Sequence, residues 1–205
     1  MTKVKICGLR RLEDIAYVND LKPDFIGFVF AESKRQVTWE QAMQLKAQLA
    51  PEIKAVGVFV NALQDEILQL ARAKTIDVIQ LHGDEDADYC AGLKAQTELP
   101  VIKAIRVKDA ASLDGLEKIP CDYLLFDTYT PGQYGGTGKR FDMSLVKNIP
   151  KPYFIAGGLD TENVSDVIKK SGAFAVDVSG GLETNGFKDK EKIAAFIEKV
   201  RGDSK

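Results

Sequence analysis

Residues 152–180 read PYFIAGGLDTENVSDVIKKSGAFAVDVSG, and this stretch decides the fold. It opens with a short apolar run, PYFIAGG (152–158). It then crosses TENVSDVIKKS (161–171), whose apolar residues recur at three- and four-residue spacing, and closes with a second apolar run, FAVDVSG (174–180). Continuously apolar runs are typical of strands buried on both faces, and a helical crossover between two of them makes the strands parallel.

Working outward, the same alternation fills the chain. Six more strand-like runs precede this unit: KVKICG (3–8), FIGFVF (25–30), KAVGVFV (54–60), VIQLHG (78–83), PVIKAIRV (100–107) and YLLFDT (123–128). Amphipathic stretches lie between or after them, namely WEQAMQLKAQL (39–49), LQDEILQLARA (63–73), DYCAGLKAQ (88–96) and KEKIAAFIEKV (190–200). Eight such units in 205 residues predict an α/β protein, a single (β/α)8 TIM barrel occupying 1–205 as one domain. An open doubly wound sheet is the alternative. The first strand-to-helix turn, CGLRRLED (7–14), lacks GxGxxG, which excludes only the dinucleotide-binding subclass of that alternative.

Composition narrows the partners. With 45% hydrophobic and 28% charged residues the chain can bury a large core, and a net charge of -2 offers no electrostatic footprint for nucleic acid or an anionic membrane. The start, MTKVKICG, has no apolar signal core, and no segment approaches a membrane span, so a cytoplasmic location is expected. Cys7, Cys90 and Cys121 are far apart, show no CxxC spacing and accompany a single histidine, which argues against a zinc site or a disulfide framework.

In a barrel of this kind the chemistry sits where strands end. Cys7 closes the first strand, Arg35 follows the second, Asn61 the third, and His82 closes the fourth. Asp127 closes the sixth, Gly157 and Gly158 the seventh, and Asp177 and Ser179 the eighth. Cys7 reads either as a buried filler or as a thiolate, favoured by the field of a helix starting near Arg11 to Asp14. Cys90 and Cys121 read as structural. Asp127 leaves the apolar run YLLF at the barrel mouth, where desolvation suits a general acid, but Asp177 in FAVDVS has nearly the same setting. Both carboxylates therefore stay open at this point, and His82 reads as a satisfied core or rim imidazole. The paired glycines of AGGL and VSGGLE bring bare backbone N–H groups to the two loops where barrels commonly bind phosphate. The loop YTPGQYGGTGK (129–139) has the composition of a lid and does not match GxxxxGK[ST].

Taken together, KICGLRRLEDI (5–15), GFVFAESKR (27–35), VGVFVN (56–61), IQLHGDE (79–85), FDTYTPGQYGGTGKRFD (126–142), IAGGLDTENV (155–164) and AVDVSGGLE (175–183) resemble the phosphoribosylanthranilate isomerases of tryptophan biosynthesis across essentially the whole chain. The resemblance implies an Amadori rearrangement of N-(5′-phosphoribosyl)anthranilate without cofactor or metal. It implies Asp127 as general acid and Cys7 as general base, with Arg35 gripping the anthranilate carboxylate. The phosphate would lie on Gly157, Gly158, Ser179 and Gly180, and His82 and Asp177 would line the substrate pocket. The expected partner is this small phosphorylated substrate, and the expected assembly a monomer or homodimer. Three departures stand out: no proline before SKR, FDM in place of FDW, and Gly180 where serine is common in VSSG. The alternatives are another sugar-phosphate epimerase or lyase on the same barrel, or a non-catalytic barrel that binds a phosphorylated ligand.

Overall fold

The computed structural model describes residues 1–128, 143–146, 149 and 151–202. Its frame is a closed parallel barrel of β1 (Lys3–Cys7), β2 (Phe25–Val29), β3 (Lys54–Phe59), β4 (Val78–Leu81), β5 (Val101–Val107), β6 (Tyr123–Thr128), β7 (Tyr153–Ile155) and β8 (Ala175–Val178). Each strand pairs with its neighbour in sequence, and β8 closes on β1 with Lys5 opposite Asp177. All eight strand-like runs are strands.

The alternation of side chains along each strand sorts the apolar runs into two layers. Val4 and Ile6 of β1, Leu124 and Phe126 of β6 and Val176 and Val178 of β8 face outward and pack under the helices. Val56, Val58, Val78, Ile102, Ala104, Leu125, Phe154 and Ala175 fill the barrel itself. The residues that alternate with the outward set at the carboxyl ends of β1, β6 and β8 are Cys7, Asp127 and Asp177. A polar side chain in these runs is thus an inward-facing group at the barrel mouth.

The outer layer comprises α1 (Leu12–Leu21), α2 (Trp39–Ala47), α3 (Gln64–Arg72), α4 (Ala87–Lys94), α5 (Val164–Ser171) and α6 (Lys190–Gly202). Their starts are chemically fixed: Thr38 Oγ1 accepts from the Gln41 N–H at 3.2 Å while Gln41 Oε1 accepts from the Thr38 N–H at 2.9 Å, and Asp86 caps α4 through the Tyr89 N–H at 2.8 Å. The β5–β6 crossover departs from the helix expectation: after β5 the chain makes 3₁₀ turns at Ala110–Leu113 and Leu116–Lys118. A further 3₁₀ turn, Met143–Val146, precedes β7. Asp109 caps the first turn through the Ser112 N–H, and Gly115 at φ 74° separates it from the second, so the short segment turns instead of propagating a helix. Beyond β8 lies an unpredicted hairpin, β9 (Glu183–Thr184) and β10 (Phe187–Lys188), turning on Asn185-Gly186. The loop 129–139, expected to be a lid, lies outside the described residues.

Candidate active site

Cys7 is half-buried at the end of β1, opposite Gly27 of β2. A Cβ at Gly27 would stand 2.7 Å from the Cys7 Sγ, so the glycine is what leaves space for the sulfur. Two residues back on the same face, Lys5 is fully buried and donates to Asp177 Oδ2 at 2.8 Å. The Ser179 hydroxyl donates to the Cys7 carbonyl at 2.9 Å and ties β8 to the same corner.

The electrostatics of this thiol differ from the sequence expectation. Burial pushes the Cys7 thiol above its ordinary value of 9.0, against the pull of the neighbouring Lys5 and Lys188 ammonium groups. The helix field does not dominate, because the start of α1 is occupied by its own carboxylate: Asp14 Oδ2 accepts from the N–H groups of Arg10 at 3.0 Å and Arg11 at 3.1 Å. Lysines take the role expected of the helix. Burial opposes the charge of Lys5, but Asp177 and Cys7 together outweigh it and raise the ammonium above 10.5.

Across the mouth, the buried Asp127 is held at both oxygens. Oδ1 accepts from the Thr128 N–H at 2.7 Å, and Oδ2 lies 3.3 Å from His82 Nε2. His82 Nδ1 lies 2.8 Å from Gln80 Nε2; with that amide donating, the imidazole proton sits on Nε2, toward Asp127. His82, expected along the pocket wall, is therefore seated on Asp127. Gly157, at φ 89°, approaches so closely that a Cβ would stand 2.7 Å from both Asp127 Oδ1 and Thr128 Oγ1. This is the site's clearest requirement for glycine.

Arg35 is already engaged. Its Nε donates to Glu183 Oε1 at 2.6 Å and its Nη2 to Oε2 at 3.0 Å, a fork held by the β9–β10 hairpin. Lys188 completes the cluster, donating to Glu183 Oε1 at 2.9 Å and to the Ser179 carbonyl at 3.0 Å. Although burial alone would raise it, the Glu183 carboxyl is brought down to about 2 by Arg35 and Lys188. Burial in turn pulls Lys188 below the usual lysine range. The Arg35 side chain runs past Gly8, and its Nη2 lies 3.2 Å from where a Cβ of Gly180 would stand. Arg35 thus reaches from the β2 loop to the loop after β8.

Gly158, at φ 64°, continues the turn after β7, and Asn163 donates to its carbonyl at 2.9 Å. Asn61 and Glu85 order the rim by β3 and β4: Glu85 accepts from the N–H groups of Asn61 and Gly83, and from buried Lys103 at 2.7 Å. Cys90 and Cys121 are buried away from this constellation; burial pushes both thiols up, Cys90 to about 11. Among the described residues no cluster of three His, Cys, Asp or Glu side chains is arranged for a metal ion, and no helix is long and apolar enough to cross a membrane.

Sequence reasoning placed Cys7, Arg35, His82, Asp127, Asp177 and Ser179 at strand ends around the mouth without dividing them; the structure sets Cys7, Arg35, Asp177 and Ser179 on one side and His82 with Asp127 on the other. It missed Lys5, Gly27, Gln80, Glu183 and Lys188. Lys5 and Gln80 had a signal, since each lies two residues before a singled-out strand residue and so shares its face. Asn185-Gly186 signalled the hairpin that carries Glu183 and Lys188.

Residues 4–199 match the family model described as N-(5′-phosphoribosyl)anthranilate (PRA) isomerase. The N-(5′-phosphoribosyl)anthranilate isomerase of Thermoanaerobacter pseudethanolicus is 50% identical over 204 residues, covering 98% of this chain and 99% of the relative. The crystal structure of phosphoribosyl anthranilate isomerase from Thermotoga maritima superposes with a TM-score of 0.88 at 35% identity, covering 98% of this chain and all of the other. A phosphoribosyl anthranilate isomerase in complex with reduced 1-(o-carboxyphenylamino)-1-deoxyribulose 5-phosphate gives a TM-score of 0.85 at 34% identity, with coverage of 98% and 100%.

Proposed function

The chain belongs to the N-(5′-phosphoribosyl)anthranilate isomerase family, and on that premise we propose how its residues divide the isomerase chemistry. The enzyme converts N-(5′-phosphoribosyl)anthranilate to 1-(2-carboxyphenylamino)-1-deoxyribulose 5-phosphate in tryptophan biosynthesis. Protonated Asp127 gives its proton to the ribose ring oxygen. The C1–O bond breaks, and the anthranilate nitrogen supplies the electron pair that makes an iminium. That iminium acidifies the proton on carbon 2. The Cys7 thiolate takes it, the C–H pair becomes the C1–C2 double bond, and the iminium electrons return to nitrogen. The resulting enolamine relaxes to the ketone.

The observation that carries this division is the pairing of environments: the sulfur has cations for neighbours, while the Asp127 carboxylate left after proton transfer has two N–H donors facing it. Arg35 binds the anthranilate carboxylate with guanidinium N–H capacity beyond its fork to Glu183. The phosphate rests on the backbone of Gly157, Gly158, Ser179 and Gly180; the Ser179 hydroxyl proton is already given to the Cys7 carbonyl. His82 acts by holding Asp127, and Asp177 by holding Lys5. We place the enzyme in the cytoplasm as one barrel domain, a monomer or homodimer with these groups drawn from one chain. The decisive experiment supplies this chain to a tryptophan auxotroph lacking the isomerase and follows conversion of N-(5′-phosphoribosyl)anthranilate by the purified protein. Growth and turnover are expected; loss of neither function on Cys7→Ser would refute the assignment of the base.

A further inference from the structure

A lysine with no exposure inside a barrel calls for a reason. Lys5 belongs to the apolar run KVKIC of β1, where two charges must be desolvated if its partner is also buried, and Asp177 is. A buried pair of this sort is poor value for stability alone, since apolar side chains of similar volume commonly serve as well or better. The pair is also not closed on itself. The 2.8 Å bond occupies one Lys5 donor and one Asp177 oxygen; Asp177 Oδ1 is buried with no partner among the described residues, and Cys7, two residues on along the same inward face of β1, lies close enough for its charge to favour the ammonium.

Among the described residues, the charges that act on the Cys7 sulfur are Lys5 of β1, Asp177 of β8 and Lys188 of β10, while β2 faces it with the uncharged Gly27. Lys188 is tied in turn to Glu183 of β9, which Arg35 of the β2 loop grips. This linked cluster holds three cations against two carboxylates, and a Cys7 thiolate would complete the balance. Resting on the reading of Cys7 as the base, we propose that Lys5 is a positioning residue for proton abstraction: pinned by Asp177, it is the cation that holds the thiolate until carbon 2 gives up its proton. Burial makes that thiolate a strong base, and Lys5 keeps it within reach near neutrality. The proton moves from carbon 2 to sulfur; Lys5 keeps its own three.

The test measures the alkylation rate of Cys7 by iodoacetamide against pH, by peptide mapping of the unliganded protein, beside kcat and KM for the isomerisation. In Lys5→Met the midpoint of Cys7 reactivity should rise by about one pH unit or more, and kcat near neutrality should fall about tenfold with KM little changed. Lys5→Arg should restore most of both. An unchanged midpoint with unchanged kcat would mean that Lys5 serves Asp177 only, and would overturn the proposal. Should Lys5→Met fail to fold because it strands a buried carboxylate, the double variant Lys5→Met/Asp177→Asn removes both charges and should still show a rise, smaller because Asp177 itself pushes the Cys7 thiol up. In the unmutated protein, the Lys5 side-chain ¹⁵N resonance should move with the Cys7 titration; a resonance indifferent to it overturns the proposal whatever the variants do. Full activity in Cys7→Ser would instead sink the assignment of the base and leave the Lys5–Cys7 coupling measurable by NMR and alkylation.

Discussion

The two walls of the barrel mouth solve opposite problems. On the β1–β8 wall a neutral thiol must be able to become an anion, and the chain sets Lys5 and Lys188 near it, held by Asp177 and by the Glu183–Arg35 fork. On the β4–β6 wall a carboxylic acid must lose a proton, and its neighbours are the Thr128 N–H and a histidine oriented by the neutral Gln80. Ion pairs frame the base, whereas the described hydrogen-bond contacts of the acid run through a backbone N–H, an imidazole and an amide. A cation paired directly with Asp127 would hold it ionised and unable to donate, whereas a thiol without cations would stay a thiol. The difference teaches that the site is organised by the charge each group must carry at its moment of use.

Removing the reacting groups should break both walls at once. Cys7→Ser and Asp127→Asn are each expected to lower kcat about 100-fold or more with KM nearly unchanged, because each group acts in proton transfer and not in holding the ligand. Asp177→Asn tests which carboxylate donates. Near-normal turnover in Asp127→Asn, with loss only in Asp177→Asn, would exchange the roles of the two walls.

A smaller effect should separate binding from chemistry. Arg35→Ala is expected to raise KM for the anthranilate-bearing substrate about tenfold, consistent with loss of a charge-assisted contact, while simple ribose phosphates bind almost as before. Calorimetric titration with both ligand classes reads this directly. Equal weakening of both would move Arg35 to the phosphate, toward which its approach to Gly180 already points.

On the other wall, Gln80→Leu keeps the size of the side chain but frees the His82 tautomer. A several-fold fall in kcat, about threefold to tenfold, is expected with KM steady, since His82 then holds Asp127 only part of the time. Steady-state kinetics check it, and kcat equal to that of the unmutated enzyme would show that Thr128 alone positions the acid.

The contrast between the walls was only half legible in the sequence. The strands could be read because burial on both faces makes them continuous apolar runs, and Cys7, Asp127 and Asp177 stood out as polar groups at their ends. Lys5 did not, because a lysine near the start of a strand usually reaches solvent; only the closure of β8 onto β1 places Asp177 beside it. Glu183 was hidden for the same kind of reason. Its partner Arg35 lies 148 residues away, and a short Asn-Gly hairpin after the last strand looks like an ordinary surface turn. The 3₁₀ crossover between β5 and β6 escaped because a charged segment of a few residues has no periodicity to read. Local patterns revealed the elements; what each charged group faces depends on barrel closure.

The smallest expected effect concerns stability, and it sharpens the contrast because Glu183, clamped by Arg35 and Lys188, belongs to the base wall. In the unfolded chain its carboxyl has its ordinary value of 4.5, and in the folded protein about 2. Between those values the unfolded state binds more protons, so folding is favoured by raising the pH. The contribution of Glu183 is therefore complete above about 4.5 and is lost as pH falls through about 2. Glu183→Gln never has it. Urea midpoints measured over a pH series should show the variant less stable near neutrality, with the gap to the unmutated protein narrowing from pH 4.5 downward. Many carboxylates titrate over the same range, but those common to both proteins cancel in the difference. A gap that stays constant to pH 2 would mean that Arg35 and Lys188 do not favour the ionised Glu183, and the charged framing of the base wall would then rest on the Lys5–Asp177 pair alone.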